Sequence, residues 1–140
     1  MASDRRSDAR ERALYLLYEA AQKNVAPADV LAAQLVEPEP LTVQLVEGVV
    51  AHRERIDEAI ASKTKQAKGG GWTLQRMPVL DVNVMRIAAY ELIDRADVPV
   101  AVVIDEAVEL AKRFSTDNSG RFVNGILSSL APELRSDGVG

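Results

Sequence analysis

A chain of 140 residues without cysteine, 47% hydrophobic and 27% charged, has the make-up of one globular domain spanning residues 1–140. Disulfides and thiolate chemistry are excluded, no run nears the ~20 apolar residues of a membrane span, and the opening MASDRRSDARER lacks the apolar core of a signal peptide, so a cytoplasmic address is expected. The net charge of −4 argues against coating nucleic acid by bulk attraction, although residues 1–12 carry four arginines and a local +1.

Capping residues Ser3, Asp4, Ser7 and Asp8 predict a first helix from that region to Gln22, buried along Ala9, Ala13, Leu16, Leu17 and Ala20. Arg6, Arg10, Leu14 and Tyr18 form a four-residue ridge along its flank. Pro27 opens a short second helix to Leu35, with Val30, Leu31 and Leu35 inward, and Pro38 and Pro40 end it. A third helix is expected from Leu41 to Ser62, with Leu45, Val49, His52, Ile56 and Ile60 on one side. Residues 62–71, ending in three glycines, read as a flexible loop, and Trp72 restarts the structure.

Thr73 to Met77 suits a single turn, and Pro78 suits the first residue of a fourth helix ending near Ile93. From Val100 to Phe114 apolar residues recur at steps of three and four, and Phe122, Val123, Ile126, Leu127 and Leu130 repeat the pattern beyond a connector at Ser115 to Ser119. The β-branched run Val98 to Ile104 could pass for a strand and Asn124-Gly125 for a hairpin turn, but neither region alternates apolar with polar. A helical hairpin results, with Gly125 allowing close helix contact, Pro132 halting the last helix and Ser136 to Gly140 frayed. Six helices, or seven, give an all-α, two-layer bundle.

Catalytic apparatus is sparse. His52 is the only histidine and lies on an apolar stripe, as core or edge histidines do. Gly69-Gly70-Gly71 lacks the Lys-Ser/Thr of a phosphate loop, and no spacing suggests a metal site, a cofactor or a nucleophile elbow. An enzyme is not expected. Arg6, Arg10 and Tyr18 instead combine guanidinium donors for phosphate with a ring on which a base can stack, and Arg121, Phe122 and Asn124 form a second basic, aromatic and amide group.

Several blocks together resemble the NusB family of transcription antitermination factors. They are Arg76-Met77, Asp81, Asn83, Arg86 to Leu92, Asp97-Val98-Pro99, Glu106 to Phe114 and Phe122 to Leu127, with the arginine-rich start followed by Arg10, Ala13, Leu17 and Tyr18. The resemblance implies an all-helical fold of two small packed bundles. It also implies a factor that pairs with NusE, a small-subunit ribosomal protein, and binds boxA-type single-stranded leader RNA. With other Nus factors the pair would join the elongating RNA polymerase, chiefly in ribosomal RNA operons.

Carried over by position, Arg5, Arg6, Arg10, Tyr18, Arg121, Phe122 and Asn124 match the family's RNA-facing motifs, and Arg76 and Asp81 match a region facing NusE. Asp105, Ser115 and Val82 depart from the pattern, as do the glycine-rich loop and the acidic Asp4 and Asp8 within the basic start. Few phosphate contacts on an acidic body imply weak, salt-sensitive RNA binding and a basic partner that extends the surface. The alternative is a protein-binding module or homodimer with little RNA binding of its own. An accessory domain of an RNA methyltransferase is not expected, because 140 residues leave no room for a cofactor-binding sheet.

Overall fold

The computed structural model describes residues 2–66 and 74–135, with side chains from Arg6 onward apart from Lys65, Gln66 and Gln75. The expectations for Trp72, for most of the glycine loop and for the C-terminal five residues fall outside it. Seven α-helices follow in order: α1 (Ala2–Lys23), α2 (Pro27–Ala32), α3 (Pro40–Ala51), α4 (Arg53–Gln66), α5 (Val79–Asp94), α6 (Val100–Phe114) and α7 (Asp117–Leu134). A single 3-10 turn, Leu74–Arg76, precedes α5, as the sequence suggested. No strand occurs among the described residues, and no described helix is long and apolar enough to cross a membrane.

The helices form two small bundles, α1–α3 and α4–α7, and α5 packs against members of both. Its composition explains this position. Val82, Val84, Met85, Ile87, Ala88, Ala89 and Leu92 point in every direction around the helix and all are buried. A helix without a polar side has to be enclosed on all sides. By contrast α6 is strongly one-sided, with Val103, Ala107, Leu110 and Ala111 inward and Asp105, Glu109, Lys112 and Arg113 exposed.

The ends follow from local chemistry. Asn24 takes φ 55° after α1, and the Asn24 and Val25 amides donate to the Ala21 and Ala20 carbonyls at 3.3 and 3.0 Å, closing that helix. Thr116 caps α7, its hydroxyl oxygen accepting the Ser119 amide at 3.0 Å. At the end of α5, the Arg135 guanidinium donates to the carbonyls of Glu91 and Leu92 in the last turn and of Arg95 and Val98 in the link that follows, tying both to the end of α7.

Several sequence expectations are corrected. The second helix stops at Ala32, so Leu35 leaves the helical register and is fully exposed, not inward. The third predicted helix is two, broken at His52 (φ −107°, ψ 14°), and residues 62–66 belong to α4, not to a loop. Pro78 precedes the helix it opens, as its cap, and is not its first residue. The α6–α7 connector shrinks to Ser115 and Thr116. A Cβ on Gly125 would meet nothing within 4 Å, so that glycine mediates no close contact; Gly120 does, its hypothetical Cβ falling 2.5 Å from Lys112 Cγ. Finally, α7 continues through Pro132, because burial of Leu134 and the four carbonyls bound by Arg135 outweigh the proline's cost of about 3 kcal/mol.

Candidate nucleic-acid interface

The first turns of α1 meet α5 and α6 through charge. Arg10 is 2% exposed, and its Nε and one terminal nitrogen donate to the two carboxylate oxygens of Glu91 at 2.8 Å each. Arg95 donates to the same carboxylate at 2.9 Å. Glu106 on α6 lies 3.8 Å from Arg10 and accepts the Ser7 hydroxyl at 2.9 Å. Burial opposes the charge on Arg10, but the hydrogen bonds and charge of Glu91, with the charge of Glu106, outweigh it and raise its pKa. A raised cationic pKa adds stability that is complete below the unfolded value and fades only in strong alkali, so this shift gives no pH dependence near neutrality.

Further along α1 the side chains become aromatic and exposed. Tyr15 stands edge-on to Phe114, at the end of α6, with ring centroids 5.4 Å apart. The Arg113 guanidinium sits 5.7 Å from the Phe114 ring centre and 3.3 Å from Glu11. Tyr18, one turn beyond Tyr15, is 37% exposed. Across the short connector, Arg121 donates to Asn118, and a shallow depression lies between Val108 and Lys112 of α6 and Gly120, Arg121 and Asn124 of α7. This corner is therefore a mixture of rings, guanidinium groups and amides, the groups that stack on bases and grip phosphates.

At the start of α5 the geometry is internal. Asp81 is buried and accepts the Ser119 hydroxyl at 2.8 Å, tying α5 to the first turn of α7. Its other carboxylate oxygen and the Asn83 amide nitrogen are buried without partners. Arg86 is held by Asp57 at 2.9 and 3.0 Å and by Asn83 at 3.1 Å. His52, 3.6 Å from Asp94 and tilted against Tyr90, is an edge histidine.

A family model described as the NusB family matches residues 7–132. The chain belongs to the NusB family. It is 47% identical over 133 residues to the transcription antitermination protein NusB of Salinispora arenicola, an alignment covering 90% of this chain and 94% of that protein. The fold resembles NusB of T. maritima with a TM-score of 0.81 and 31% identity, covering 95% of both chains. A crystal structure of antitermination factors NusB and NusE in complex with dsRNA aligns with a TM-score of 0.74 and 25% identity, over 95% of this chain and 99% of that one.

In this NusB-family chain the residues selected from sequence part into three groups. Arg6, Tyr18, Arg121 and Asn124 are exposed, and Phe122 is half-buried against the core. Arg10 and Asp81 are enclosed, each with a charged or hydroxyl partner inside the protein. Arg76 is exposed, and the Arg5 side chain lies outside the described residues. Among the described residues no hydrogen bond or ring contact links Tyr18 to Arg121, Phe122 or Asn124; α1 and the α6–α7 corner meet through Tyr15, Phe114, Glu11 and Arg113. Tyr15 was missed. Its signal was present in the spacing of Glu11, Tyr15 and Tyr18, which share one helical face away from the buried stripe.

Proposed function

We propose that this transcription antitermination factor binds boxA-type single-stranded leader RNA along the corner built from α1, the end of α6 and the start of α7. NusE extends that surface, and the pair acts within the elongating RNA polymerase complex in the cytoplasm. The observation that carries this reading is the exposed ring-and-guanidinium set, Tyr15, Tyr18, Arg113 and Arg121, on a protein whose net charge is −4. Bulk attraction cannot hold RNA on such a body, so stacking and a few local phosphate contacts have to supply affinity. A small set of contacts binds weakly, and a basic partner supplies the rest.

The test is titration of single-stranded boxA-type RNA into the full chain, with and without NusE, over a range of salt. NusE should tighten binding and steepen the salt dependence, and Tyr18→Ala with Arg121→Ala should weaken it. If NusE adds nothing and the double variant binds as well as the parent, the surface is wrongly assigned. Light scattering in the same buffers reports whether a homodimer covers the corner.

A further inference from the structure

We propose that the groove between the α2–α3 link and the Tyr90 edge of α5 docks a basic, extended segment of a partner protein, one that alternates cationic and apolar side chains. The groove is open to solvent, has a volume of about 810 Å³ and is bounded by Glu37, Pro38, Glu39, Gln44, Glu47 and Tyr90. It lies on elements that carry none of the residues assigned to RNA, so it stands independently of that reading.

Its floor is preformed. A Cβ on Gly48 would fall 2.1 Å from the Tyr90 ring, so the glycine provides the space in which the ring seats against α3. Tyr90 is 3% exposed, and its hydroxyl accepts the Gln44 side-chain amide at 3.1 Å. A hydroxyl that accepts one bond keeps its own proton to donate, which suits a main-chain carbonyl. One wall is preformed as well: Pro38 and Pro40 flank Glu39 at φ −59° and ψ 150°, an extended stretch against which an extended segment lies parallel.

The rim specifies charge. Glu37, Glu39 and Glu47 are exposed, and among the described residues none has a basic group within 4.0 Å. Just before Glu37 in the chain, Leu35 and Val36 stand in solvent, Val36 lining a neighbouring depression with Arg12, an unusual place for two adjacent aliphatic side chains. Three carboxylates repel a phosphate backbone, which excludes nucleic acid, while a segment with cations for the rim and aliphatic groups for Leu35 and Val36 satisfies both.

The experiment uses the full-length protein and a short peptide, about ten residues alternating arginine and leucine, followed by backbone amide NMR. The shifts should centre on Val43, Gln44, Glu47 and Tyr90. The triple variant Glu37→Gln, Glu39→Gln, Glu47→Gln, altered only at exposed side chains, should weaken binding by about tenfold, with a smaller loss in Leu35→Ser. A peptide with glutamate in place of arginine, and single-stranded RNA, should leave these amides unmoved. The proposal is overturned if the arginine peptide shifts amides elsewhere, if the triple variant binds it unchanged, or if RNA moves the same amides. A concentration-dependent dimer that Leu35→Ser abolishes also overturns it, because a second copy would then be the occupant.

Discussion

In the seam between α1 and α5 an arginine is enclosed; at the corner between α6 and α7 another stands in solvent. Arg10 and Arg121 carry the same group, and both lie on helices with one apolar face. What separates them is the element opposite. Arg10 faces Glu91 of the enclosed α5, and a carboxylate placed there requires a cation. Arg121 stands exposed near the edge of α6, where its partner is the exposed Asn118. Whether an arginine holds the fold or stands in solvent is thus decided by whether a carboxylate, here 81 positions away, meets it.

The largest effect should come from removing the carboxylate in the seam. Glu91→Ala strands both Arg10 and Arg95 and should cost about 3–5 kcal/mol in urea unfolding. Arg10→Ala should cost less, since Arg95 still pairs with Glu91, and should leave the RNA affinity of the folded fraction near that of the parent. A selective loss of RNA binding without loss of stability would break the contrast. Next in size is Ser119→Ala, which removes the tie between α7 and Asp81: about 1.5–3 kcal/mol of stability should be lost, read from the same unfolding curves.

At the corner the effects should move from stability to binding. Tyr18→Ala should change stability by no more than about 0.5 kcal/mol, yet weaken boxA-type RNA by about 1–3 kcal/mol if one base stacks there, measured by fluorescence anisotropy at fixed salt. Smallest is Arg121→Ala, which should lower the slope of log affinity against log salt by about 0.7, one phosphate contact on a single strand. An unchanged slope would mean that Arg121 grips only Asn118.

Much of this contrast lies beyond what one sequence reveals, and particular residues show why. The α6–α7 hairpin was legible because Val103, Ala107, Leu110, Val123, Ile126 and Leu127 keep a helical period, and period is a local property. The break at His52 was hidden by the same signal. Leu45, Val49, Ile56 and Ile60 keep one phase across it, because the His52 amide still donates to Gly48 and its carbonyl still accepts from Ile56. Leu35 shows the opposite case, where two prolines downstream could not say how many residues earlier the helix would stop. The exposed part of the candidate site, Tyr18, Arg121 and Asn124, was accessible through residue type and spacing. The enclosure of Arg10 and Asp81 was not, since it depends on Glu91 and Ser119 meeting them in three dimensions.

The contacts of α5 with both bundles carry a consequence for how a strand of RNA is met. With one shared axle, the tyrosine face of α1 and the arginine-bearing turn of α7 keep a fixed separation, like the jaws of a caliper set before use. If RNA binds at the proposed corner, the ordering cost on binding then falls on the RNA. Inserting one residue within α5 should turn every later helix by about 100° and displace it by about 1.5 Å. Such a change spares the rings and guanidinium groups themselves and unsets the gauge between them.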